Sequence, residues 1–287
     1  MKKILFTGGT GFIGRNLLPF LKNIYDVSAP SRNELNLTDP DSIENYFINH
    51  KFDVVIHAAI PNIAFNKDKS ETLLKDSLFT FMKLYQQQEK YEKLIYFGSG
   101  AEFDKTFPII SISEEEFGKR IPNNDYGLAK YIMTSLARKS EKIYNLRIFG
   151  CYGPTDADFK LITYAIHCCM DNKPIVLHQD CIFDYMHVSD IYPVLNYFIE
   201  NTPKYHDYNI CTGNRISILE ICKYIQKEMN CNLPIQIEKP GFNNEYTGQN
   251  LRICQEIPNL KFTPLQEGIK RQIIYEKEAY GNEKKSS

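Results

Sequence analysis

The residues of this chain best suited to chemistry are a serine, a tyrosine and a lysine. Tyr126 and Lys130 stand four positions apart in Tyr126-Gly127-Leu128-Ala129-Lys130. On a helix that spacing puts both side chains on one face, roughly 5–6 Å apart at Cβ. A phenol titrates near ~10 and exchanges protons poorly at neutral pH. A cation held beside it favours the phenolate and draws the pKa toward the working range. Ser99 follows the apolar run Leu94-Ile95-Tyr96-Phe97, within Gly98-Ser99-Gly100-Ala101. Its hydroxyl can bond a substrate oxygen while Tyr126 moves a proton and Lys130 tunes it. Together the three suit proton transfer at an alcohol or carbonyl oxygen. Singly each has a plainer reading, because Tyr–Lys pairs are common on exposed helices and a lone serine is commonly a loop hydroxyl.

Such a group needs a hydride carrier, and the amino-terminal segment has the form of a site for one. Lys3-Ile4-Leu5-Phe6 reads as a short buried strand running into Thr7-Gly8-Gly9-Thr10-Gly11-Phe12-Ile13-Gly14, with a helical stretch from Arg15 to Leu21. Strand, glycine turn and helix form the context of a dinucleotide site, where the backbone approaches a pyrophosphate and the helix N-terminus faces its charge. The expected contacts are Thr7, Gly8, Thr10, Gly11, Phe12, Ile13 and Gly14.

The second strand, Tyr25 to Pro30, bears on which dinucleotide binds. A carboxylate at its end would hold a ribose 2′-hydroxyl, whereas Ser31-Arg32 offers a hydroxyl and a cationic fork to a 2′-phosphate. Asp26 lies at the wrong end of this strand and Glu34 beyond it, so NADP(H) is favoured over NAD(H). Asp39 either caps the helix that starts at Pro40 or sits at the adenine edge.

Phe52 to Ala59 is a further buried strand, ending in Ala58 and Ala59, small enough for a cofactor to lie against the backbone. His57 within it reads as structural. Residues 70–90 form a helix with Leu74, Leu78, Phe81, Met82 and Tyr85 on one stripe, for the core or a subunit interface. Alternating strands and helices give an α/β fold with a doubly wound parallel sheet. Its carboxyl edge is where Ser99 would meet the Tyr126–Lys130 pair.

Composition excludes several classes. A net charge of −1 over 287 residues gives no reason to expect nucleic acid or an anionic membrane as partner. The initial apolar run stops at Thr7-Gly8-Gly9, too early for a signal peptide, and no stretch is long enough to span a bilayer. The eight cysteines include no Cys-x-x-Cys pair, so they read as reduced, mostly buried residues of a cytoplasmic protein, and no metal site is expected.

The chain resembles the extended short-chain dehydrogenase/reductase family, in its nucleotide-sugar epimerase, dehydratase and reductase branch. The resemblance is carried by the glycine turn, His57-Ala58-Ala59, Gly98-Ser99, Tyr126 to Lys130, Leu146-Arg147-Ile148-Phe149-Gly150-Cys151-Tyr152-Gly153-Pro154 and Phe183-Asp184-Tyr185-Met186-His187-Val188-Ser189-Asp190. It implies a Rossmann domain over residues 1–155, to which 182–204 returns. It also implies a smaller lobe, mainly 156–287, over a nucleotide-diphosphate sugar, and a homodimer built through helices.

Ser31 to Leu37 is most similar to the GDP-fucose synthase type, which uses NADPH. Departures from the family patterns narrow the reaction. Dehydratases carry an Asp-Glu pair after the hydroxyl residue, where this chain has Gly100-Ala101 and Glu102 falls one step too far along. The epimerising cysteine of the synthase type is replaced by Ala101, and its histidine partner falls near Lys160. Phe183 replaces an arginine that would meet the diphosphate, leaving Arg252 as a substitute. Ser99, Gly100, Lys160 and Arg252 are the implied substrate contacts. The resemblance therefore implies NADPH-dependent reduction of a 4-keto sugar. The alternatives are a C4 epimerase with retained NAD and a non-catalytic dinucleotide binder.

Overall fold

A computed structural model of the chain describes residues 1–60 and 72–286. Its amino-terminal half alternates strand and helix: β1 (Lys3–Thr7), α1 (Phe12–Lys22), β2 (Asp26–Ser28), α2 (Pro40–Asn49), β3 (Phe52–His57), α3 (Leu73–Gln86) and β4 (Tyr91–Ser99). Then come β5 (Ile109–Ile112), α4 (Asp125–Ala137), β6 (Ile143–Ile148), β7 (Gly150–Tyr152), α5 (Leu161–Met170), β8 (Ile175–Asp180), β9 (Ile182–Phe183), β10 (Tyr185–His187) and α6 (Ile191–Glu200). The rest comprises β11 (Asp207–Ile210), β12 (Ile216–Ser217), α7 (Ile218–Met229), β13 (Ile235–Phe242), β14 (Tyr246–Gly248), α8 (Leu251–Glu256) and α9 (Leu265–Ser286).

The main sheet has six strands in the order β11-β6-β4-β3-β1-β2, every pair parallel. The chain steps outward from β1 to β2 and then crosses back to β3, which makes the carboxyl ends of β1 and β3 the switch point of the sheet. Both faces are covered, as a parallel sheet requires. Successive side chains alternate between the faces. Ile4, Phe6, Val54, Ile56, Ile95 and Phe97 meet Leu17 and Leu21 of α1 and Leu195 and Phe198 of α6. Leu5, Val55, Leu94 and Tyr96 meet Ile43 and Phe47 of α2, Phe81 of α3 and Met133 of α4.

α3 is the helix expected over residues 70–90, of which residues 70 and 71 lie outside the described residues. Its stripe is turned inward: Phe81 is buried, and Leu78, Met82 and Tyr85 pack on the same core.

A second core, with Ile162, Ile166, Ile221, Ile225 and Ile269 from α5, α7 and α9, forms the smaller lobe. Between the lobes lies a four-stranded sheet ordered β12-β9-β14-β5, with Phe103, Phe149 and Tyr246 packed beneath it. The chain returns to the large sheet not only through α6 but also through β11 at residues 207–210, beyond the expected segment. Asp207 and Asn209 of β11 are polar yet buried, held by arginine and backbone partners.

Candidate active site

Ser99 is the last residue of β4 and caps a short helical turn, Gly100–Phe103. Its Oγ accepts from the Ala101 N–H at 3.2 Å, and its own N–H donates to Glu102 Oε1 at 3.0 Å. This reciprocal capping holds the serine at the sheet edge. α4 starts beside it because Asn124 accepts from the Gly127 N–H at 2.8 Å, leaving Tyr126 in the first turn and Lys130 one turn on. The Tyr126 phenol lies near enough to Ser99 for the serine to bear on its protonation. The structure thus brings Ser99, Tyr126 and Lys130 together.

The electrostatics differ from the expectation that Lys130 would lower the phenol's pKa. Burial raises the Tyr126 pKa, which the Ser99 hydroxyl opposes and the Glu102 charge adds to. The Lys130 ammonium is buried, donates to the Phe97 carbonyl at 2.8 Å and lies 6.0 Å from the Tyr126 ring centroid. Burial pulls its own pKa down to about 8, against the opposing pull of Glu102. Tyr126 is therefore a protonated phenol at neutral pH. His57 is buried, with Nδ1 2.8 Å from Thr7 Oγ1. Burial, and secondarily Lys130, pushes it down to about 3, so it is neutral and structural.

Glu102 is engaged on all sides. Its carboxylate accepts from Arg147 Nε at 2.7 Å, Thr134 Oγ1 at 2.8 Å, Asn145 Nδ2 at 3.2 Å and the Ser99 N–H. Arg147 is fully buried and also meets Asp207 at 2.9 Å. The network continues to Arg138 and Arg252.

Arg252 is where the structure departs most from the sequence reading. Its guanidinium pairs with Glu115 at 2.5 Å, Asp207 at 3.3 Å and Glu114 at 3.7 Å, and lies over the Tyr205 ring. Three carboxylates on one cation tie it to the framework, and they would repel a diphosphate brought beside it. Lys160 precedes α5 and is exposed, and its charge is felt at Asp156 and Lys105. Burial raises Asp156 to about 6, against its own hydrogen bond to the Ala157 N–H.

Sequence reasoning missed Tyr246. Delivered by β14, it is 6% exposed, and its Oη lies 3.4 Å from Ser99 Oγ. Gly100 lies under this phenol, and a Cβ there would come within 2.7 Å of Tyr246 Oη. The glycine at position 100 is the one local signal of that approach.

The glycine turn fits a dinucleotide. Gly8 has φ +79, and a Cβ on it would lie 2.5 Å from the Ala59 nitrogen, so the turn after β1 and the end of β3 approach as only glycine permits. α1 is capped by Gly11 with no side-chain bond, so its first N–H groups point outward as an anion site. Ser31 and the exposed Arg32 follow β2, and Arg32 makes no ion pair among the described residues. Glu34 folds back, however, accepting from the Ser31 N–H at 2.7 Å, so a carboxylate stands at that strand end as well. Asp39 caps α2 through the Asp41 N–H at 3.0 Å.

A parallel sheet with its glycine turn at the switch point, and Ser99, Tyr126 and Lys130 grouped at the same edge, define an extended short-chain dehydrogenase/reductase. The chain belongs to the NAD dependent epimerase/dehydratase family, whose model matches residues 4–211.

It is similar to the GDP-L-colitose synthase of Yersinia pseudotuberculosis, 27% identical over 78% of this chain and 81% of that protein. It is also similar to the dTDP-D-glucose 4,6-dehydratase of Dictyostelium discoideum, 26% identical over 78% of this chain but only 62% of the relative's length. In fold it matches the GDP-mannoheptose C4 reductase of Campylobacter jejuni with NADP bound, at a TM-score of 0.82 and 17% identity over 96% and 98% of the two chains. The Bacillus anthracis dTDP-glucose 4,6-dehydratase in complex with NAD matches at 0.82 and 16% identity over 97% of each chain. Among the described residues no helix is long and apolar enough to cross a membrane.

Proposed function

We propose that the protein is an NADPH-dependent reductase of the 4-keto group of a nucleotide-diphosphate-linked 4-keto-6-deoxy sugar, working as a cytoplasmic homodimer. The observation that carries this reading is the sequestration of Glu102. With that carboxylate spent on Arg147, Thr134, Asn145 and the Ser99 backbone, the groups beside Ser99 that could handle its protons are, among the described residues, phenols. Dehydration needs an acid and a base, and epimerisation beside the ketone needs a base strong enough to take a carbon-bound proton. Ala101 supplies neither. Ketone reduction needs one proton, delivered to the oxygen as the hydride arrives at carbon.

The bound nicotinamide would supply the hydride. The glycine turn and the open N-terminus of α1 would hold the pyrophosphate, with Ala58 and Ala59 behind it. Ser99 would donate to the carbonyl oxygen and Tyr126, protonated at neutral pH, would pass its proton there. Lys130 would steady the phenolate that remains. Lys160 is left as a candidate phosphate contact on the substrate side. Leu74, Leu128 and Ile132, half-buried on the neighbouring helices α3 and α4, are candidates for the dimer face.

A second reading rests on Glu34, whose carboxylate beside Ser31 suits a ribose hydroxyl better than a phosphate. It favours NAD, and with NAD a C4 epimerase that retains its cofactor. A purely binding role would have no need to group Ser99, Tyr126 and a buried lysine. The test is NADPH and NADH consumption against a panel of nucleotide 4-keto-6-deoxy sugars. Turnover of one sugar that Tyr126→Phe abolishes without loss of cofactor binding supports the reductase. Silence across the panel, with NAD co-purifying, selects the epimerase.

A further inference from the structure

Ser99 lies between two phenols, and only one of them belongs to the tyrosine–lysine pair. Tyr246 reaches it from the far end of the chain, on a strand that pairs with β5 at Ile109 and with β9 at Phe183. Its ring is wedged between Phe149 and Phe183, each 5.3 Å away by centroid, with Lys105 Nζ 4.5 Å above it. These contacts hold the ring with its hydroxyl beside Ser99 and the Ala101 N–H. Gly100 makes room for it. Among the described residues, Ser99 Oγ is the acceptor in reach of the Tyr246 hydroxyl.

A serine hydroxyl has one proton and two acceptor sites. The Ala101 N–H fills one acceptor site of Ser99. We propose that Tyr246 fills the other, which obliges the Ser99 O–H to donate outward, to Tyr126 in the free protein and to the substrate oxygen once that is bound. Tyr246 is thus a positioning residue that acts through Ser99, and it makes the four-stranded sheet part of the active site. Burial supports the direction of donation by keeping the Tyr246 phenol protonated well above neutral pH. The 3.4 Å separation is longer than a formed O–H···O bond, as in other sites whose contacts tighten when substrate binds.

The kinetic part of the test rests on the reductase reading, and the spectroscopic part does not. Tyr246→Phe removes the hydroxyl and keeps the ring in its aromatic wedge. It is expected to lower kcat about tenfold, with KM within about twofold and NADPH binding unchanged. In a Ser99→Ala background the same substitution is expected to cost nothing further, because its effect passes through the serine. An equal loss in both backgrounds would show that Tyr246 touches substrate independently and would overturn the proposal, as would full activity of Tyr246→Phe.

The second arm uses protein labelled with carbon-13 at tyrosine Cζ, with the Tyr126 signal assigned by its loss in Tyr126→Phe. The ionisable groups that bear on Tyr126 are Glu102 from the Ser99 turn, Lys130 from its own helix and Tyr246 from β14. If Ser99 donates to Tyr126, Tyr246→Phe loosens that bond and raises the Tyr126 pKa. An unchanged or lowered value overturns the positioning role. Should the wild-type protein reduce none of the sugars, the functional reading fails while this arm still decides on Tyr246.

Discussion

Replacing Glu102 by alanine tests whether this carboxylate belongs to the framework or to the chemistry. In the structure it is fully buried and accepts from the Ser99 N–H, Thr134, Asn145 and Arg147. Removing it leaves the Arg147 guanidinium, also fully buried, with Asp207 as its remaining carboxylate. Breaking a buried pair by deleting one partner costs about 3–5 kcal/mol. Asp207 is shared with Arg138 and Arg252, so its compensation is partial and about 3–4 kcal/mol is the expected loss. At ~2.1 cal/mol/K per residue, 287 residues give an unfolding entropy of about 0.6 kcal/mol/K, and the loss becomes a fall in Tm of about 5–7 °C. Thermal and urea unfolding measure it. Glu102→Gln, which keeps an acceptor for the Ser99 N–H, should lose about half as much. A fall of less than ~2 °C for Glu102→Ala would mean that Arg147 does not depend on this carboxylate. Glu102 would then return as an acid or base candidate, and the case against dehydration would fail.

Three further predictions concern the positions where sequence and structure pull apart. Arg252→Ala should lower Tm, since it leaves the buried Glu114 without its cationic partner, and leave the KM for the sugar nucleotide within about twofold. A tenfold rise in KM at unchanged Tm would restore the diphosphate role. Arg32→Ala should weaken NADPH far more than NADH, by about tenfold or more if the guanidinium meets a phosphate, and fluorescence titration of both cofactors reads it. Equal losses would favour the Glu34 reading. Lys130 has a folded pKa near 8 against an unfolded value near ~10.4. Between those values the unfolded chain binds the proton and the folded one does not, so its contribution to stability rises with pH across that window. Urea unfolding at about pH 8 and pH 10 should show stability changing with pH more favourably in the wild type than in Lys130→Met, the difference isolating Lys130 from the buried cysteines that titrate in the same window with the opposite sign.

The parts legible in the sequence were those whose physics is local. Strands β1, β3 and β4 are short apolar runs because a parallel sheet is buried on both faces, so no pairing information is needed to see them. The glycine turn is legible because Gly8 must adopt a positive φ and meet the backbone of Ala59, a demand that only the residue type records. Tyr126 and Lys130 are legible because one helical turn joins them. The electrostatics were not, since the Lys130 ammonium turns to the Phe97 carbonyl, a partner from another element.

What stayed hidden was settled between distant segments. Arg252 looked like a ligand cation because its three carboxylates, Glu114, Glu115 and Asp207, come from two other stretches of chain. β11 lay beyond the segment expected to return because the arginines that neutralise Asp207 lie at the end of α4 and on β6. Tyr246 lies 147 residues beyond Ser99, in a short strand that no periodicity marks. In each case a polar or aromatic residue gained its role by burying against a partner remote in sequence, and the free energy of that burial has no local pattern to announce it. The same fact explains why Ser99 is held from two sides. Glu102 grips its backbone from the large domain, and Tyr246 approaches its hydroxyl from the four-stranded sheet. A shift of that sheet would therefore reach the serine through Tyr246 before it reached Tyr126, whose helix packs on β4 and β6.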